Sequence, residues 1–107
     1  MPSTPMNLFA DAVPPEQGER FDELLRHKNL LIERIISSPG TRSADYVQTQ
    51  DEWVLLVQGE AELIVGGQPV RLVAGDHLFI PAGVAHTVVD TSAGAMWLAV
   101  HLHSPGA

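Results

Sequence analysis

From Asn29 onward, apolar residues come in short runs separated by Gly, Pro and polar residues: Leu30–Ser37, Ala44–Thr49, Trp53–Val57, Ala61–Val65, Val70–Val73, His77–Ile80, Thr87–Asp90 and Met96–Leu102. Runs of this length bounded by turn residues predict strands. Gly59-Glu60 and Gly66-Gly67 stand where tight hairpins need residues that tolerate positive φ, and Pro69 fits only a strand start. Ahead of these runs, Phe21, Leu24 and Leu25 recur at helical spacing among charges, which predicts a short amphipathic helix within Glu19–Lys28 that covers one end of a sheet. Residues 1–18 carry Pro2, Pro5, Pro14 and Pro15 and read as an extended lead-in held by Leu8, Phe9 and Val13. With no βαβ alternation, the expected fold is all-β: a lead-in over 1–18, then one double-sheet jelly-roll barrel over 19–107 with a short N-terminal helix.

Composition narrows the class. The 107 residues are 45% hydrophobic and 18% charged, the balance of one folded domain rather than a disordered chain. Thirteen acidic against six basic residues give a formal charge of −7, which repels phosphate backbones and anionic lipid. The densest basic stretch is Arg26, His27 and Lys28, too little for nucleic acid or a membrane surface. The chain contains no cysteine, which excludes disulfides, thiolate nucleophiles and cysteine-ligated zinc. The opening MPSTPMNLFADAVPP has no charged start followed by an apolar run, so the expected location is the cytoplasm. Pro81, Gly83 and Gly94 interrupt the most apolar late stretches, which are too short for helical membrane spans.

Two stretches are punctuated with unusual regularity: GTRSADYVQTQDEWVLLVQG from Gly40 and GDHLFIPAGVAHTVVD from Gly75. Gly40, Glu52 and Gly59 in the first, and Gly75, Pro81, Gly83 and His86 in the second, match the spacings G-x5-H-x-H-x3-E-x6-G and G-x5-P-x-G-x2-H-x3-N. Gly and Pro occur at only about 7% and about 5% of positions, so this many fixed-spacing matches do not arise by chance. The chain resembles the cupin superfamily and is similar to small single-domain bacterial cupins with a Tyr-x-Gln-x3-Glu-Trp first motif. That resemblance implies a double-stranded β-helix, or jelly-roll barrel. It also implies a divalent metal inside the barrel (iron, manganese, zinc, nickel or copper), held by two His and a Glu of the first motif and one His of the second. Tyr46 and Gln48 occupy the two His positions here and Asp90 the final Asn position, while Glu52 and His86 match.

Strand alternation gives a reading of the same residues from geometry. Tyr46 and Gln48 share one face; Glu52, Val54 and Leu56 share another, with Trp53, Leu55 and Val57 opposite. A Glu52 carboxylate facing an apolar lumen is costly unless paired, protonated or metal-bound, and His86 is its natural partner. Two readings stand for the pair: metal ligation, or a buried hydrogen bond that satisfies both groups. Gln48 offers either a neutral amide oxygen as a ligand or a hydrogen bond to substrate or water. Tyr46, with a reference pKa of about 10, suits a hydrogen-bonding phenol at the pocket wall better than a metal ligand. His101 and His103 alternate with Trp97 and Ala99, but Leu98, Val100 and Leu102 are equally apolar, so their face stays open. Facing inward, His101 would complete a two-histidine, one-carboxylate set with Glu52 and His86 that suits iron or zinc. His77 reads as a loop residue, Asp90 as a strand end at the rim, and Trp53 and Trp97 as packing.

The leading functional expectation is a small-molecule-binding cupin with a divalent-metal pocket. As an enzyme it would act on a small organic acid, sugar or aromatic compound, with Tyr46 positioning substrate or serving as an acid. A metal-free isomerase with His86 as base and Tyr46 as acid is a second enzymatic version. The competing class is a non-catalytic ligand-binding or sensor cupin without metal. No nucleophile elbow, phosphate loop or H-E-x-x-H motif supports other chemistry. Strands apolar on both sides, such as Leu30–Ser37, need a second cover, which predicts a two-fold homodimer.

Overall fold

The structure, a computed structural model, describes residues 4–105; Pro2 of the lead-in lies outside the described residues. Eight strands occur among the described residues: β1 (Glu19–His27), β2 (Leu30–Ser37), β3 (Asp51–Gln58), β4 (Glu60–Val65), β5 (Gln68–Val73), β6 (His77–Ile80), β7 (His86–Thr91) and β8 (Ala95–Leu102). They form a five-stranded sheet in the order β1-β2-β8-β3-β6 and a three-stranded sheet in the order β5-β4-β7. Every pairing is antiparallel. The apolar faces of the two sheets meet in one core that includes Ile35, Val54, Leu56, Leu63, Val88 and Trp97.

The expected N-terminal helix is not present; the described residues contain no helix, and Glu19–Lys28 is instead strand β1 and its turn. The misleading spacing has a structural cause. β1 pairs Glu23 with Glu33 and then Leu25 with Ile32, so Leu24 is the extra residue of a bulge. An inserted residue shifts strand alternation by one, and a period of two then mimics helical spacing. The β1–β2 hairpin turns through Lys28 and Asn29, with Lys28 at φ 54° and no glycine to announce it.

Ala44–Thr49 was the other misassigned segment: only Tyr46 forms a bridge, with His86. Residues 40–46 run beside β7 but are tied to it by Gly40 N to Thr91 O, Ser43 N to Val88 O and Tyr46 N to His86 O, at 2.8, 2.9 and 2.8 Å. Bonds at every third residue do not make a ladder, which requires every second. The segment is therefore anchored yet irregular.

Gly66-Gly67 forms the expected β4–β5 hairpin, with both residues at positive φ (55° and 81°). Gly59 does different work: β3 and β4 lie in different sheets, so it turns a corner rather than a hairpin. At φ 87°, a Cβ there would sit 2.7 Å from Ser92 Oγ and 2.9 Å from Ala95 Cα. Any side chain at Gly59 thus meets backbone in addition to the strain of roughly 1–2 kcal/mol that a left-handed φ imposes.

The lead-in is fastened by Arg34, which is buried on the face of β2 opposite Ile35. Its guanidinium donates to Leu8 O (2.8 Å), Ala10 O (2.7 Å) and Asp22 Oδ2 (2.8 Å). Arg20 adds bonds to Asp11 O and Val13 O at 2.8 and 3.1 Å. Both guanidinium groups are committed to the lead-in and to Asp22.

Candidate functional site

One cross-strand row carries the polar groups into the barrel. Ile80, Glu52 and His101 are register partners on β6, β3 and β8, so their side chains stand side by side on the inner face. His101 therefore belongs to the inward set with Trp97 and Ala99, and all three are buried. His86, at the start of β7, enters from the opposite sheet. The irregular segment supplies Tyr46 and Gln48. Tyr46 exchanges backbone hydrogen bonds with His86 at 2.8 and 2.9 Å, and Gln48 O accepts from Gly83 N at 2.8 Å. That last bond ties the segment to the Pro81–Val84 turn, which Val84 N closes on Pro81 O at 3.2 Å and where Gly83 has φ 83°.

These side chains line a cavity of about 120 Å³ that opens to solvent past Phe21 and Tyr46. Its walls are apolar, including Ile35, Val54, Leu63, Ile80 and Trp97. Tyr46, Gln48, Glu52, His86 and His101 all reach it, joined by two carboxylates that sequence reasoning had not assigned to the site, Glu19 and Glu33. Glu33 could have been found: it is the one charge in the inward alternating set of β2, between Leu31 and Ile35. Glu19 and Phe21 were hidden by the helix assignment. His103 stacks 6.5 Å from His101, His77 lies 5.5 Å from Trp53 at an exposed strand start, and Asp90 is exposed near the end of β7.

The hydrogen bonds define which atoms are free. Val84 O can only accept, so the 3.2 Å contact with His86 Nδ1 puts a proton on Nδ1. In the neutral ring, the Nε2 electron pair then faces Glu52 Oε1 at 3.7 Å. Gln48 Oε1 is buried with no hydrogen-bond partner. His101 has a partner at both nitrogens: Nε2 donates to Glu33 Oε1 at 2.8 Å, and in the neutral ring Nδ1 accepts from Gln50 Nε2 at 3.3 Å. Its Nδ1 lies 4.0 Å from Glu52 Oε1. At the other side of the cavity, Trp97 Nε1 donates to Ser37 Oγ (3.1 Å) and Ser37 Oγ donates to Glu19 Oε2 (3.2 Å), which orients the Glu19 carboxylate.

Burial sets the ionisation. It raises Glu52 above its ordinary range, against the pull of His101 and His86, and raises Glu19 despite the Ser37 hydrogen bond. Burial, with the nearby Glu19 and Glu52 charges, also raises Tyr46, which stays a neutral phenol able to donate. The hydrogen bond to Glu33 raises His101, outweighing burial.

The donor set was weighed against the metal that the motifs imply. Among the described residues no three His, Asp or Glu side chains are grouped to hold a metal ion. Of the expected donors, His101 is engaged at both nitrogens, which leaves Glu52 Oε1, His86 Nε2 and the orphaned Gln48 Oε1 as the cavity atoms that could face a divalent ion.

Two facing antiparallel sheets enclose an apolar-walled cavity into which polar side chains reach, the architecture of a β-barrel with an internal pocket. The cupin-domain family model matches residues 34–101, and the chain belongs to the cupin family. A solved structure of a provisionally assigned mannose-6-phosphate isomerase from Ralstonia eutropha JMP134 is 39% identical, with TM-score 0.84, covering 95% of this chain and all of that one (100%). An uncharacterized protein of Streptomyces coelicolor is 31% identical over 64 residues, 60% of this chain. The helix-turn-helix transcriptional regulator PuuR of Escherichia coli is 34% identical over 68 residues, 63% of this chain. The match spans 61% of the Streptomyces protein and 36% of the regulator. None of the described helices is long and apolar enough to cross a membrane, since the described residues contain no helix at all.

The raised groups fix the sign of the pH dependence. Glu19 and Glu52 hold protons in the folded state that the unfolded chain releases above its ordinary value of 4.5, and His101 does so above 6.5. Their contribution to stability is complete below those values and is lost as pH rises through the raised ones. The melting temperature in chelator should fall as pH rises above the ordinary values of 4.5 and then 6.5, and fall less in Glu52→Gln. A flat or rising profile in differential scanning fluorimetry contradicts these ionisation states.

Proposed function

We propose that this cupin binds a small organic molecule beside a divalent metal ion held by Glu52, His86 and Gln48. The observation that carries this reading is a set of unsatisfied groups in one cavity: His86 Nε2 stands 3.7 Å from Glu52 Oε1, beyond hydrogen-bond distance, and Gln48 Oε1 has no partner. Buried acceptors left facing one another cost about 1–3 kcal/mol each, and a cation relieves them together. A bound divalent ion would supply Lewis-acid polarisation of a ligand oxygen. The chain's own groups do the rest. Val84 O holds His86 with its Nε2 pair directed inward, Tyr46 presents a neutral phenol as donor, and the apolar walls exclude water. His101 is a positioning group that spans Glu33 and Gln50. Zinc, iron(II), manganese and nickel suit the mixed nitrogen and oxygen set.

A second reading is favoured by the likeness to the provisionally assigned isomerase and by the proximity of the Tyr46 and His86 rings, with centroids 5.7 Å apart. In it, His86 Nε2 takes a proton from a bound substrate and the Tyr46 phenol returns one, without metal.

Titration of purified protein by calorimetry at about pH 7.5 should give micromolar or tighter binding for at least one of the four metals, weakened about tenfold or more in both Glu52→Gln and His86→Ala. Binding of none of them, or variants that bind as the parent does, contradicts the metal reading and leaves the metal-free one.

We also infer a two-fold homodimer. Leu24 and Leu25 on edge strand β1, and Met6 and Val13 of the lead-in, remain exposed. Light scattering at micromolar concentration should give twice the 11.6 kDa chain mass; the single-chain mass contradicts it.

A further inference from the structure

The charge of the cavity identifies what it takes. Three carboxylates reach it, Glu19, Glu33 and Glu52, and among the described residues none of its lining side chains is Lys or Arg. The nearby cationic side chains are used elsewhere: Arg34 and Arg20 bind the lead-in and Asp22, and Arg26 pairs with Glu23. Glu33 is paired with His101, and Glu52 faces His86. Glu19 faces the cavity with no cation: its carboxylate is fixed by the Trp97–Ser37–Glu19 relay, in which Glu19 Oε2 accepts from the Ser37 hydroxyl at 3.2 Å. Phe21 and Tyr46 flank it at the mouth, 54% and 39% exposed although they line a binding cavity. Aromatic rings beside a carboxylate are the arrangement that attracts an ammonium group, by the ring quadrupole and by ion pairing together. A phosphate or carboxylate in the same place would meet three acidic residues and no cation to balance it.

The geometry points to a small primary alkylammonium as the ligand class, its cationic head held by Glu19, Phe21 and Tyr46 at the mouth and its alkyl part against the Ile35, Val54 and Trp97 wall. This rests on the reading that the cavity binds a small organic molecule, and it names that molecule's charge. The same chemistry turns away sugar phosphates, although the Ralstonia relative is provisionally assigned to one. The cavity of about 120 Å³ suits a compact ligand; an apolar cavity of about 150 Å³ accommodates benzene.

The test uses three probes matched in heavy-atom count: pentylammonium, pentan-1-ol and butanoate. Their binding to the full chain is measured by calorimetry at about pH 7.5, in chelator and again with one equivalent of zinc, alongside mannose 6-phosphate. Pentylammonium should bind about tenfold or more tightly than pentanol, with butanoate and mannose 6-phosphate weaker still. Glu19→Gln should erase the preference for the ammonium while leaving pentanol binding unchanged. Phe21→Leu, which keeps an apolar side chain, should reduce that preference several-fold, providing a second reading should Glu19→Gln fold poorly. Pentanol or an anion binding as tightly as the ammonium, or a preference that survives in both variants, overturns the assignment but leaves a small-molecule site standing. Binding of no probe in either metal state overturns both this assignment and the small-molecule reading on which it rests.

Discussion

Glu52 Oε1 and His86 Nε2 confront each other across 3.7 Å inside an apolar barrel, too far apart for a hydrogen bond, with a partnerless Gln48 Oε1 in the same cavity. An ion pair in a protein interior repays its desolvation only when hydrogen bonds complete it. Here no hydrogen bond completes it, because the two atoms stand 3.7 Å apart while the Nδ1 proton is directed at Val84 O. The nearest well-satisfied pair shows the contrast. His101 donates to Glu33 at 2.8 Å and accepts from Gln50, so it needs nothing further. One histidine of the cavity thus has its hydrogen bonds made, and the other keeps Nε2 without one.

The barrel pays for this arrangement with rigid supports. Glu52 is held in a continuous five-stranded sheet between Ile80 and His101. Tyr46 and Gln48 arrive on an irregular segment, yet reciprocal bonds to His86 and the bond from Gly83 fix it at both residues. Gly59 lets β3 pass into the second sheet at a point where Ala95 Cα leaves no room for a side chain. At the far face Arg34 gathers two carbonyls of the lead-in and the Asp22 carboxylate. Burial raises Asp22 but the Arg34 and Arg20 guanidinium groups outweigh it and hold that carboxyl low, so the charges there are settled. The unsettled ones all lie in the cavity.

Much of this was legible in the sequence, for reasons that differ residue by residue. Seven of the strand runs appear within two residues of their predicted bounds, because turn-forming and polar residues, among them Gly and Pro, break the apolar runs between them. The cavity positions of Glu52, His86, Gln48 and Tyr46 followed from motif spacing, which records the depth at which each strand enters the barrel. The orientation of His101 did not, because β8 is apolar on both faces and only the sheet-to-sheet packing decides which one is inside. β1 was lost to a single inserted residue, Leu24, and with it Glu19 and Phe21. Ala44–Thr49 has strand-like composition, but its backbone bonds depend on where β7 passes, a fact of tertiary structure that local pattern does not carry.

The central claim, that the His86 Nε2 pair is directed at Glu52 and open to a cation, is tested most directly by nitrogen-15 NMR of the imidazole rings at about pH 7.5 in chelator, followed by addition of zinc. The account predicts a neutral His86 protonated at Nδ1, whose Nε2 resonance shifts on zinc addition in the parent protein and not in Glu52→Gln. A His86 ring protonated at Nε2, bonded to Glu52 and unmoved by zinc, would contradict it.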